Sequence, residues 1–205
     1  SQGCCGSILM HIGEDKKAMS LARKNFDVIP DDIDAIISTA AGCGSGIQDY
    51  ELLFRGHPDE KRADAFSEKV MDFSAYLAKI GLRKPKGFDK PTTVVYQDAC
   101  HLYHAQGIYD EPRDLLEGIP NLTLVPIRDE GMCCGSAGTY NIDQPELAHQ
   151  LGKNKVNNIM DAEPDVVVSG NIGCITQIKV HLDLQKQSLA TMHLAQLLYQ
   201  AYQLD

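Results

Sequence analysis

Tryptophan is absent, aromatic residues make up only 6% of the chain, and no apolar run approaches a membrane span, which needs about 20 residues as a helix. The N-terminus, Ser-Gln-Gly-Cys-Cys, lacks the basic stretch followed by an apolar one that marks a secretory leader. Basic residues are in deficit, 19 Lys and Arg against 28 Asp and Glu, for a net charge of −9. That balance argues against nucleic acid as a partner. No Cys-x-x-Cys pair occurs, so the usual knuckle of a structural zinc site is missing. Nothing resembles a Ser-His-Asp nucleophile or a paired-carboxylate acid–base site. Seven cysteines, an odd number with two adjacent pairs, make a poor disulfide framework. A reducing cytoplasm and thiolate-bound metal suit them better.

What is present is enough for one large domain or two fused half-size units: 205 residues, 43% of them hydrophobic. The chain is organised around Gly131-Met132-Cys133-Cys134-Gly135-Ser136-Ala137-Gly138, and the signature recurs as Gly3-Cys4-Cys5-Gly6-Ser7. Glycine lets the backbone approach a bulky object. Adjacent side chains on an extended backbone point apart, so neighbouring thiols reach different atoms of that object.

The pattern predicts a helix over 13–26, a short strand at Ala35-Ile36-Ile37, and a glycine-rich loop from Thr39 to Gly46. A long helix is expected from Pro58 to Ile80, where Phe66, Val70, Phe73, Leu77 and Ile80 recur at helical spacing, and residues 82–91 read as a linker. Strands are expected at Val94–Tyr96, Leu122–Val125 and, last in the chain, Val166–Val168. Helices are expected from Asp143 to Met160 and through Leu194 to Tyr202. This alternation argues for α/β layers with a mostly parallel sheet.

Two half-units related by duplication account for the spacing. Each doublet precedes a helix, a Pro-Asp break, a short strand and a Gly-Cys turn; Cys5 to Cys43 spans 38 positions and Cys134 to Cys174 spans 40. The first repeat is assigned to 1–81 and the second to 92–205. Cys43, Cys100 and Cys174 each follow a predicted strand, where parallel sheets present functional loops. Buried structural cysteines would not explain why every cysteine sits beside glycine or a strand end. Four thiolates would also suit zinc, but an adjacent pair is more natural for a multi-iron cluster, in which each thiolate reaches a separate iron. A labile redox pair at Cys133-Cys134 would leave Cys100 and Cys174 without a role. The Gly42-Cys-Gly44-Ser-Gly46 run lacks the spacing of a dinucleotide fingerprint.

Gly-Met-Cys133-Cys134-Gly-Ser-Ala-Gly-Thr-Tyr-Asn, with Asp98-Ala-Cys100-His101-Leu upstream and Gly170-Asn-Ile-Gly-Cys174 downstream, resembles the cysteine-rich CCG domain. That domain occurs in heterodisulfide reductases and in iron–sulfur subunits of flavin-linked 2-hydroxyacid oxidases, with the nearest likeness to those of bacterial glycolate oxidase. Gln2-Gly-Cys4-Cys5-Gly, His11 and Gly-Cys43-Gly-Ser-Gly resemble its first repeat. The resemblance implies two Rossmann-like CCG half-repeats, a 4Fe–4S cluster on Cys100, Cys133, Cys134 and Cys174, and a related site at Cys4, Cys5 and Cys43. Gly135 and Gly173 are the expected points of close approach to the cluster. His101 is expected to donate a hydrogen bond near it rather than to ligate, and the same reading applies to His104 and His11.

The resemblance further implies an electron relay from FAD on a partner oxidase subunit towards a quinone, in the cytoplasm or at the inner-membrane periphery through that complex. Glycolate is the expected substrate of the complex. Lactate utilisation, heterodisulfide-reductase-like thiol chemistry and a zinc-stabilised interaction module are the alternatives. Where the family's fullest pattern ends in Cys-x-x-Cys, this sequence has Ala40-Ala-Gly-Cys43 and Asn171-Ile-Gly-Cys174, which weakens direct disulfide cleavage. The family's ferredoxin-like segment and the start of its first repeat are missing from this sequence, so the chain reads as a C-terminal piece. The first repeat's counterpart of Cys100 would precede Ser1, and the first site is expected to be the less complete.

Overall fold

In the computed structural model, which describes residues 2–202, the chain divides between Phe73 and Ser74 into two units. The first begins with a short helix α1 (Ser7–His11) and the amphipathic α2 (Asp15–Val28), which buries Ala18, Met19, Ala22 and Phe26. Strand β1 (Ile36–Ser38) follows, then α3 (Ala41–Gln48), α4 (Tyr50–Leu53), α5 (Glu60–Ser67) and β2 (Val70–Asp72). β1 and β2 pair in parallel, Ile36 opposite Val70. The core is aromatic: the Phe26 ring lies 5.7 Å from Tyr50, 5.5 Å from Phe54 and 4.9 Å from Phe66, at separations where tilted and edge-on rings attract.

Two expectations fail here. The single helix from Pro58 to Ile80 is instead α5, β2 and α6 (Phe73–Ile80). Val70 is buried as part of a strand that gives β1 its backbone partner, as in Ile36 N to Lys69 O at 2.8 Å. A short strand cannot leave those groups unpaired in the interior. The glycine-rich run 39–46, expected as a loop, forms most of α3. Glycine is a poor helix former, but close packing favours it here. A Cβ on Gly46 would lie 2.4 Å from the Cβ and Oγ of Ser7.

The second unit holds β3 (Thr92–Gln97), a π-helix (His101–Ala105), α7 (Asp110–Glu117), β4 (Leu122–Leu124), α8 (Tyr140–Asp143), α9 (Pro145–Met160), β5 (Val166–Ser169), α10 (Ile172–Leu184), β6 (Ala190–His193) and α11 (Leu194–Tyr202). The strands form one parallel sheet in the order β4-β3-β5-β6. Val94, Val95, Val167 and Val168 are buried on both faces of its centre, as parallel strands covered by helices require. Val166–Val168 is not the last strand: β6 follows, on the sheet's edge, after α10. α10 hides its period because Ile172, Val180 and Leu184 are exposed apolar residues among buried ones. Residues 82–91, expected as a linker, are held within this unit by Gly87 N to Ala201 O at 2.9 Å and Phe88 N to Pro120 O at 3.1 Å.

From β3 the chain moves outward to β4, and from β5 it moves the other way to β6. The carboxyl ends of β3 and β5 therefore flank a crevice from which the connections diverge, the place where open α/β sheets take their ligands. The result is a mixed α/β protein with short parallel strands in two sheets flanked by helices. No helix among the described residues is long and apolar enough to cross a membrane.

Candidate functional site

In the second unit the cysteines gather at that switch point. Cys100 follows β3, Cys133 and Cys134 lie in the loop between β4 and α8, and Cys174 sits in the first turn of α10 after β5. Their thiols influence one another in a row, Cys100 with Cys133, Cys133 with Cys134 and Cys134 with Cys174. Cys134 and Cys174 are buried, while Cys100 and Cys133 are partly open.

The row polarises its members. Cys133 is pulled well below the usual thiol range by hydrogen bonds from Cys100 and Cys134, with the Gly135 amide adding at 3.3 Å. Cys174 is lowered by Cys134 and then by Asn171, whose Nδ2 donates to its sulfur at 3.4 Å. Cys100 is raised by its bond to Cys133, and Cys134 by its bonds to Cys133 and Cys174; burial pushes both the same way.

Glycine closes this arrangement. Gly135 has φ +90°, and a Cβ there would lie 2.5 Å from the Ala148 carbonyl oxygen on α9, so the doublet presses directly on that helix. A Cβ on Gly173 would lie 3.1 Å from Ser136 Oγ, which brings the first turn of α10 against the doublet loop. His101 is half-buried and opens the π-helix, and His104 is exposed beside the Tyr103 ring.

Two cationic residues that sequence reasoning missed support the site. Arg113 makes a two-pronged pair with buried Asp98, at 2.9 and 2.8 Å, and its Cζ lies 3.6 Å above the Tyr109 ring. The pair anchors the chain two residues before Cys100. Lys155, fully buried on α9, donates from Nζ to the carbonyls of Asp129 at 3.0 Å and Glu130 at 3.2 Å. At helical spacing among polar residues it reads as a surface lysine, and no sequence signal separates it from one.

The first unit repeats the pattern with three thiols. Cys5 is coupled to Cys43 and Cys4, and the Gly6 amide meets Cys4 Sγ at 3.5 Å as Gly135 meets Cys133 at 3.3 Å. Cys43 is lowered to about 7 by the bond from Cys5, while Cys5 is raised by that bond and by burial. Tyr50 OH donates to the Cys5 carbonyl. His11 reaches Ser7 Oγ at 3.4 Å, and Ser7 in turn donates to the Gly42 carbonyl at 3.0 Å.

Among the described residues no group of three or more His, Cys, Asp or Glu side chains forms a ready site for a metal ion. Cys100, Cys133, Cys134 and Cys174 are the residues of this unit that could hold an iron–sulfur cluster, in which each thiolate would meet its own iron.

Fold and site together define a duplicated α/β module that presents cysteines from strand ends and a Cys-Cys-Gly loop. The chain belongs to the cysteine-rich domain family, CCG, whose family model matches residues 1–48 and 94–179. It is 34% identical to the probable glycolate oxidase iron-sulfur subunit of Bacillus subtilis strain 168, over 98% of this chain and 46% of that protein. It is also 34% identical to the glycolate oxidase iron-sulfur subunit of Escherichia coli K12, over 86% and 44% respectively. Lactate utilization protein A of Geobacillus kaustophilus is 26% identical over 97% of this chain and 83% of its own length. The chain thus spans about half the length of the glycolate oxidase subunits that it matches.

Proposed function

We propose that this chain is an electron-relay portion of the iron–sulfur subunit of a flavin-dependent 2-hydroxyacid oxidase. The observation that carries the reading is the gathering of four cysteines, Cys100, Cys133, Cys134 and Cys174, on the loops at the switch point of the second unit, together with relatives named as glycolate oxidase iron-sulfur subunits. Cys100, Cys133, Cys134 and Cys174 would hold a 4Fe–4S cluster, and Cys4, Cys5 and Cys43 would serve the first unit. A bound cluster supplies reversible one-electron storage.

The residues around it hold charge and shape. The Gly135 amide and Asn171 donate to sulfur, favouring thiolate over thiol, and Asp98–Arg113 fixes the end of β3. On this reading the two-electron oxidation of a 2-hydroxyacid to a 2-oxoacid, with release of two protons, belongs to FAD on a partner subunit. This chain would take those electrons singly and pass them to a quinone, which binds two protons on becoming quinol. The complex would work in the cytoplasm, at the membrane periphery. Glycolate is the first choice of substrate; the match to lactate utilization protein A over 97% of this chain favours lactate as the second.

The test is iron and acid-labile sulfide analysis of anaerobically purified protein, with visible absorption that dithionite bleaches. Zinc in place of iron, with no visible band, overturns the reading. Turnover of glycolate by this chain alone with an artificial acceptor overturns the relay.

A further inference from the structure

The two units place different side chains at one corresponding position. A Cβ on Gly6 would lie 3.3 Å from the Ala18 Cα and carbonyl oxygen, as one on Gly135 would strike Ala148, so Ala18 on α2 matches Ala148 on α9. Seven residues further along each helix stand Asn25 and Lys155. Both are buried, at 2% and 0% exposure, and both hold a doublet loop. Asn25 accepts from the Gly3 amide at 3.1 Å and donates to the Cys4 carbonyl at 3.2 Å. Lys155 holds the carbonyls of Asp129 and Glu130.

The first unit has a neutral amide at this position and the second an amine that can carry charge. Lys155 has no carboxylate within ion-pair distance among the described residues, its two hydrogen bonds going to carbonyls. Burial of an ammonium without a counter-ion is strongly unfavourable. Burial pushes the Lys155 ammonium below the ordinary lysine range, and Cys134, Asp98, Cys100 and Cys133 act against that push. Asp98 is already neutralised by Arg113. The thiol row is what remains to balance Lys155.

Resting on the cluster reading above, we infer that Lys155 is a positioning residue that supplies a fixed counter-charge to the second site and raises its reduction potential above that of the first, where Asn25 is neutral. Its hydrogen bonds hold the loop that presents Cys133 and Cys134. Its charge favours the state with one more electron, because reduction adds negative charge at a poorly solvated site.

The experiment is an anaerobic redox titration of the 205-residue chain reconstituted with iron and sulfide, comparing wild type with K155N, K155M and K155R and measuring iron content alongside. K155N installs the first unit's residue. It is expected to retain iron and to weaken the one-electron reduction equilibrium of the second site at least tenfold, about 59 mV, with K155R close to wild type. Loss of iron in K155N and K155M but not in K155R likewise supports the charge. An unchanged potential in iron-loaded K155N or K155M overturns the inference, as does loss of iron in all three variants with far-UV circular dichroism intact, which would assign Lys155 to packing. Failure of the wild type to bind iron and sulfide overturns the cluster reading itself, and the inference falls with it.

Discussion

Replacing Gly135 by alanine should be among the most damaging single-methyl changes in this chain. At φ +90° a side chain costs about 1–2 kcal/mol in backbone strain. The new Cβ would stand 2.5 Å from the Ala148 carbonyl oxygen and 3.2 Å from its carbon and Cα, all backbone of α9, so nothing flexible can yield. Overpacking of that kind adds about 1–3 kcal/mol, for a total of about 2–5. Gly107 is the control, with φ +67° and nothing within 4 Å of its would-be Cβ, so G107A should show the strain alone, about 1–2 kcal/mol. Urea unfolding followed by circular dichroism measures both. Combining G135A with Ala148→Gly should give no rescue, since the atom struck is a carbonyl oxygen. A G135A variant no less stable than G107A, or one rescued by the Ala148 change, would refute the claim that the doublet presses on α9 backbone.

Arg113→Met should destabilise the protein by about 3–5 kcal/mol, because it strands Asp98, 4% exposed, without its partner; adding Asp98→Leu in the same urea assay should recover much of the loss. His181 gives a pH signature. Burial, then repulsion from His149, holds its imidazole below the ordinary 6.5, so the unfolded chain binds more protons. Stability should therefore fall as pH drops below about 6.5 and level off below the depressed value. His181→Gln should flatten that slope in thermal melts at a series of pH values, and an unchanged slope would assign the pH dependence elsewhere. Gly152→Ala should destabilise by about 1–3 kcal/mol, since its Cβ would lie 2.3 Å from the His181 ring, and it should do so less in a His181→Ala background.

Much of this architecture was legible because its signals are local. The valine runs at Val94-Val95 and Val166-Val167-Val168 are apolar on both faces, as buried parallel strands must be, and the doublets announce themselves by two thiols between glycines. Helix α9 was readable from Pro145 and Glu146 in its first turn. What escaped depended on contacts distant in sequence. β2 carries Val70 at a spacing that also suits a helix, and only the partner β1 makes it a strand. α3 holds three glycines against all propensity because Gly46 packs on Ser7. β6, Ala190-Thr-Met-His193, is an edge strand without an apolar run. At the site the cysteines were visible in the sequence, but Arg113 and Lys155 were not. A buried cation and an exposed one have the same sequence signature until the negative groups facing it are placed.

The most direct test of the central claim is the iron content of single cysteine-to-serine variants of the anaerobically reconstituted chain. C100S, C133S, C134S and C174S should each lose iron and visible absorption to a similar extent, because they act on one site, and a C133S/C134S double variant should lose little more than either single change. Full retention of iron by any of the four, or additive losses across them, would contradict a single cluster held at the switch point of the second unit.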